Sequence, residues 1–448
     1  MPSRLRIARS GPLSGEARVA GDLHIGQQAL VWAALADGPS VIAGLAPRRD
    51  HRLLADALRA LGVGIEVSDH ALHVDGVGLR GLRMPKGALD AGDSPTTLAL
   101  LGALLAGQRF GTRIEARGVA RAAELRTLIV PLRARGAQIA GTSGDEGALH
   151  APVAVAPLLD DERLDEVEIA IPNGDATTKL ALLVSGLYAR GVSAVHEGLL
   201  SRDHVERALL ALDLSVQTAA GMTVLDTSEA EPVWPGFSWR VPGDFTLASF
   251  VIAAALSVPG SDVRIRDLGL NPMRTAFLDA LRGTGARVRL APKGDTAGGE
   301  PFGDLRAAYG PLASIRVGGE RALGLLDELP ALTALAGACR GRMAIRDVGV
   351  LRTQAPDALR ATIDVLARFG VRCTVYDDGL ELDPPEHIAP AHLDADVPPP
   401  QALLGCVLAL CADGISIVDA PERLDALYPG FIDTLIALGA PIVREGAP

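Results

Sequence analysis

The residue types that can make or break bonds are few and scattered in this chain. Nine His are spread from His24 to His392 with no HExxH pair, so no helix offers two imidazoles to one metal, and no metal site is expected. The four Cys (Cys339, Cys373, Cys406, Cys411) lie in apolar runs of the last quarter without ligand spacing. They read as buried thiols in a reducing compartment. Neither GxxxxGK[ST] nor GxSxG occurs, which excludes a P-loop phosphate cradle and a serine nucleophile elbow. Lys occurs only at Lys86, Lys179 and Lys293, so nearly all of the 43 basic residues are Arg. Asp22, Asp93, Asp175 and Asp244 each open an apolar stretch. An Asp there caps a helix, and it occupies the first-turn donors that a phosphate would otherwise use.

Composition narrows the function classes further. A chain of 448 residues should hold two or more domains at roughly 100 to 200 residues each. With 48% hydrophobic and 22% charged residues it falls among globular proteins. Only 3% is aromatic, the net charge is −11 and no basic patch is visible, so neither base stacking nor phosphate tracking on nucleic acid is expected. The opening MPSRLRIARSGPLSGEARVAG has no apolar core of signal-peptide length, and runs such as Leu247–Val258 fall short of a membrane span of about 20 residues. A cytoplasmic protein without membrane association is expected.

The elements that position these residues recur. Leu, three residues, Gly and then a β-branched strand start occurs at Leu58–Gly62, Leu132–Gly136, Leu281–Gly285, Leu366–Gly370 and Leu435–Gly439. A sixth copy, LLALDLSV, has Asp213 in place of Gly, and the six anchors are 69 to 85 residues apart. Each copy reads as an amphipathic helix ending on a residue of positive φ, followed by a strand. Between the anchors lie stretches apolar on every side, such as TLALLGALLAGQ and LASFVIAAALSV. A helix apolar all round must be buried all round.

Six units therefore make two groups of three. Val19–Asp22 (VAGD) and Val241–Asp244 (VPGD) are equivalent positions, each opening a buried helix. This places one contiguous domain at 22–242 and a discontinuous one at 1–21 plus 243–448. The expected class is α/β, with buried helices, outer sheets and a small-molecule ligand in an interdomain cleft. The stretch Gly294–Asp304, rich in Gly, reads as a flexible loop.

At the level of motifs the chain resembles the enolpyruvyl transferases, and within them the 5-enolpyruvylshikimate 3-phosphate (EPSP) synthase family. The likeness covers essentially the whole chain and rests on LSRDHVER at Leu200–Arg207, VPGD at Val241–Asp244, VPGSDVRIRDLGLNPMRT at Val258–Thr275, LDELP at Leu326–Pro330 and YPGF at Tyr428–Phe431. The resemblance implies the two-domain enolpyruvyl transferase fold, a monomer and no cofactor. It also implies transfer of the enolpyruvyl group of phosphoenolpyruvate to the 5-hydroxyl of shikimate 3-phosphate, with release of phosphate. On that basis Asp327 is the base for the hydroxyl proton, with Glu328 beside it. Ser201 and Arg202 match residues near the sugar phosphate, and Thr96 and Thr177 remain from two further substrate strips.

Other positions depart from the family pattern. Leu23 and Gln28 stand where the first strip carries Lys and Arg, Ala99 where the second carries Arg, and Gln354, Ala355 and Ala358 where Lys, Glu and Arg are usual. Pro398–Pro400 replaces an Asp-His-Arg triplet. Binding two phosphates and a carboxylate needs many Arg and Lys donors. Three readings stay open: the family reaction, an inactive homologue that binds another ligand or partner, and altered chemistry such as elimination on a less charged, shikimate-like cyclitol.

Overall fold

The computed structural model describes residues 3–45, 48–68, 71–159, 161–171, 174–354 and 356–446, with the backbone alone for Thr353 and Gln354. Ala355 and His70 lie outside the described residues. The chain divides into two compact units, one of Leu23–Val241 with Asp295–Glu300, the other of Met1–Asp22, Pro242–Gly294 and Pro301–Pro448. Each has its own continuous apolar core.

Six four-stranded sheets account for the six repeats. In the third, Leu164–Ile171 pairs parallel with Ala189–Glu197, which pairs antiparallel with Met222–Asp226, which in turn carries Val216–Ala219 at the edge. Parallel neighbours need a crossover, and the apolar helix Ala176–Gly186 supplies it. Two sheets are completed by distant segments. Ser238–Arg240 pairs with Asp37–Ala43, and Arg4–Ile7 is inserted between Ser416–Asp419 and Ile442–Glu445.

The helices behave as their patterns require. In Phe245–Ser257 every residue except Thr246 is buried, and Pro95–Ala106 is buried from Thr97 onward. The amphipathic Arg49–Ala60 turns only His51, Leu54, Ala55, Ala57 and Leu58 inward. Its end, and the four equivalent ends, fall on Gly62, Gly136, Gly285, Gly370 and Gly439, all at φ between +83° and +101°. Asp213 adopts the same left-handed conformation at φ +59°. An Asp tolerates this because its short side chain can bond locally.

The helix starts correct one expectation. Asp175 and Asp244 do cap, accepting from Thr178 N and Thr246 N at 2.9 Å. Asp93 does not: Ser94 is the cap of Pro95–Ala106, and Asp93 instead receives Arg49 Nη1 at 2.7 Å. Gly294–Asp304 is not a loose loop either. It forms the end of a hairpin between Arg287–Asp295 and Pro301–Ala308, with Glu300 buried. No helix among the described residues is long and apolar enough to cross a membrane.

Candidate active site

In the Leu23–Val241 unit, Thr96 and Thr177 are half-buried and lie in the first turns of Pro95–Ala106 and Ala176–Gly186, two helices that pack on each other. Ser201 and Arg202 lie in the segment 198–203, between the strand Ala189–Glu197 and the helix His204–Ala211. The Ser201 N–H donates to Glu197 Oε1 at 3.0 Å. Its hydroxyl is buried and has no hydrogen-bond partner among the described residues. Arg202 is half-buried. Asp203 occupies the cap position of His204–Ala211 without a side-chain cap bond, and pairs with Arg207 one turn on.

The group that organises this segment is Lys179. Its ammonium lies 2.9 Å from Glu197 Oε2 and 2.7 Å from Glu206 Oε1, and all three side chains are buried. A charge inside a helix that is otherwise apolar all round must find a partner, since desolvating an unpaired ammonium costs several kcal/mol. The sequence carried that signal in ATTKLALLVSG, but the two Glu are separated from Lys179 in the chain and could not be picked out from it.

In the other unit Asp327 and Glu328 precede the helix Leu329–Ala334, with Glu328 at the cap position and no side-chain cap bond from it. Both face Arg274, the last residue of the Asn271-capped turn Pro272–Arg274. Arg274 Nη1 lies 3.4 Å from Asp327 Oδ2 and 3.4 Å from Glu328 Oε1. Its Nη2 is 3.7 Å from Asp22 and 3.6 Å from Asp244, and donates to Thr246 Oγ1 at 2.7 Å. Thr246 Oγ1 in turn donates to Glu328 Oε1 at 2.6 Å. Thr246, the one residue its helix leaves incompletely buried, thus joins the guanidinium to the buried carboxylate. Asp327 is different, with a side chain 51% exposed against 1% for Glu328. One carboxylate is tied into the structure and its neighbour is half exposed.

Sequence reasoning named Asp327 and Glu328 but gave no role to Arg274 and read Asp22 only as a helix cap. It also missed a buried pair, His204 Nδ1 to Glu300 Oε1 at 2.7 Å, which holds the hairpin tip within the Leu23–Val241 unit. Gly298 fits the same place because an added Cβ would come within 3.0 Å of the Trp239 ring.

Two of the substituted positions offer no cation. Ala99 is buried in the core, and Gln28 is buried with its Oε1 without a hydrogen-bond partner among the described residues. Pro398 precedes the helix Pro399–Ala409, so its first two residues have no N–H to offer an anion. Among the described residues, His392, Asp394 and Asp419 form the group spaced to hold a cation. They are already paired on the surface, His392 with Asp419 and Asp394 with Arg368, each at 2.9 Å.

Comparison with known proteins agrees with this architecture along its length. The sequence model of the family described as EPSP synthase (3-phosphoshikimate 1-carboxyvinyltransferase) matches residues 7–435. The 3-phosphoshikimate 1-carboxyvinyltransferase of Synechococcus sp. (strain RCC307) is 36% identical over 440 residues, spanning 96% of this chain and 98% of the relative. That of Brevibacillus brevis is 31% identical over 434 residues, spanning 97% and 99%. The solved EPSP synthase of Acinetobacter baumannii superposes with a TM-score of 0.89 at 26% identity, covering 99% of this chain and all of that one. With six repeated units, two cores and a family model matched over residues 7–435, the chain belongs to the EPSP synthase family.

Proposed function

We propose that this chain acts in the cytoplasm as a 3-phosphoshikimate 1-carboxyvinyltransferase of the shikimate pathway, with Asp327 as the general base. The observation that carries the reading is the Asp327 carboxylate, half exposed beside the buried Arg274 while Glu328 is tied to Thr246. In this scheme Asp327 takes the proton of the 5-hydroxyl of shikimate 3-phosphate as that oxygen bonds to C2 of phosphoenolpyruvate and the C2–C3 double bond takes up a proton at C3. The C2–O bond to phosphate then breaks, phosphate leaves with its electron pair, and the C3 methyl gives up a proton to restore the double bond of the enolpyruvyl group. Ser201 Oγ and Arg202 bind the sugar phosphate, and Thr96 and Thr177 contribute hydroxyl donors from the first turns of their helices. The full-length similarity to enzymes named for this reaction supports the same reading.

A second reading is favoured by one specific observation, the loss of cations at Leu23, Gln28, Ala99, Ala358 and Pro398–Pro400. A charge-assisted hydrogen bond contributes on the order of 1.5 to 3 kcal/mol, so even half of five such contacts is worth several powers of ten in rate. Under this reading the protein binds a less charged ligand, either without turnover or with elimination on a cyclitol.

Phosphate release by the purified protein supplied with phosphoenolpyruvate and shikimate 3-phosphate decides between them, with Asp327→Asn as the control. Release that needs both substrates and Asp327 establishes the transferase. No release from folded protein selects the second reading.

A further inference from the structure

We propose that Lys179 is a positioning residue that fixes both ends of the Ser201–Arg202 segment from the helix carrying Thr177; this rests on the reading of Ser201 and Arg202 as phosphate donors. Lys179 lies two residues after Thr177 on Ala176–Gly186. Its ammonium reaches Glu197, the last residue of the strand Ala189–Glu197, and Glu206, in the first turn of His204–Ala211. The segment 198–203 is the connection between those two residues. One buried cation therefore pins its entry and its exit.

The clamp also reaches into the segment. Glu197 gives Oε2 to Lys179 and Oε1 to the Ser201 N–H at 3.0 Å, so the carboxylate orientation that satisfies the lysine also holds the serine backbone. On the other side Glu206 Oε1 accepts from Thr223 Oγ1 at 2.8 Å, which ties the exit to the strand Met222–Asp226. With side-chain exposures of 1% for Lys179, 4% for Glu197 and 7% for Glu206, water does not screen these contacts. The Ser201 hydroxyl is left buried and unpartnered while its amide is fixed. A buried hydroxyl without a partner is costly unless something supplies one, and a bound oxyanion does so. Lys179 itself touches no ligand in this scheme. It sets where the hydroxyl points.

The test uses the full chain and two readouts, hydrogen exchange of the 199–203 amides and titration calorimetry with shikimate 3-phosphate. Lys179→Met and Glu197→Ala should each speed exchange in that segment at least tenfold and weaken the ligand at least tenfold. Glu197→Gln, which keeps one oxygen as acceptor for the Ser201 N–H but turns an amide NH2 toward the Lys179 ammonium, should recover both only in part, by at least threefold relative to Glu197→Ala. That rescue is what a merely structural ion pair would not produce. If Lys179→Met fails to fold, the Glu197→Ala and Glu197→Gln pair carries the test alone. Unchanged exchange in a folded variant, or no difference between Ala and Gln at position 197, overturns the proposal. If the parent protein takes up no shikimate 3-phosphate, the phosphate-donor reading falls, while the exchange pattern with its Gln rescue still supports the clamp or, if flat, overturns it.

Discussion

In the Leu23–Val241 unit the Lys179 ammonium lies 2.7 and 2.9 Å from two carboxylates, with all three groups nearly free of solvent contact. In the other unit Arg274 stands 3.4 to 3.7 Å from four carboxylates, and one of them, Asp327, is half exposed. The first cluster is short and closed, with two carboxylates on one ammonium. The second is longer, with four carboxylates within 4 Å of one guanidinium. Burial makes an ion pair expensive to break but adds little net stability, so the closed trio is best understood as geometry held in place. The open cluster leaves one carboxylate accessible, and the proposed base must be within reach of its substrate.

The contrast can be broken by mutation. Lys179→Met leaves Glu197 and Glu206 buried without a counter-charge, and should lower unfolding free energy by about 3 to 5 kcal/mol in urea titrations. Asp327→Asn removes a half-exposed charge and should change it by less than about 1 kcal/mol. Equal losses at the two sites would show that both clusters are structural, and would remove Asp327 from consideration as a base.

A smaller effect sharpens the same comparison at the helix starts. Asp175→Ala should cost about 1 kcal/mol, because its carboxylate caps the helix that carries Lys179. Asp93→Ala should cost less than about 0.5 kcal/mol, because Ser94 holds the cap and Asp93 makes only an exposed pair with Arg49. Thermal unfolding of the two variants and of Ser94→Ala orders them, and an Asp93 loss matching Asp175 would contradict the cap assignment.

The smallest effect concerns the repeat that departs from its siblings. Asp213 sits at φ +59° where five other units have Gly, so Asp213→Gly should raise stability by up to about 1 kcal/mol. A loss of stability would mean that the Asp side chain is used.

Much of the fold was legible because it is written in local pattern. The apolar run Phe245–Ser257 had to be buried on all sides, and five helix ends had to stop on Gly. The sixth stop, Asp213, was recognisable only by its spacing from the others. The candidate site was legible in part. Asp327, Glu328, Ser201, Arg202, Thr96 and Thr177 could be named from short motifs, while Lys179 was only counted among the three Lys. Their partners could not be named, and Glu300 looked like part of a loose Gly-rich stretch until its pairing with His204 was seen.

By itself, the sequence determined six helix-and-strand units, the faces they bury and the scarcity of ammonium groups, since periodicity, left-handed stops and composition need no knowledge of distant contacts. Only the tertiary structure decided that Asp22, Asp244, Asp327 and Glu328 share Arg274, that Lys179 joins Glu197 to Glu206, and that Ser94 rather than Asp93 caps its helix. The physical reason is range. A hydrogen bond or a buried ion pair acts over about 3 to 4 Å, and packing alone brings groups hundreds of residues apart within that distance.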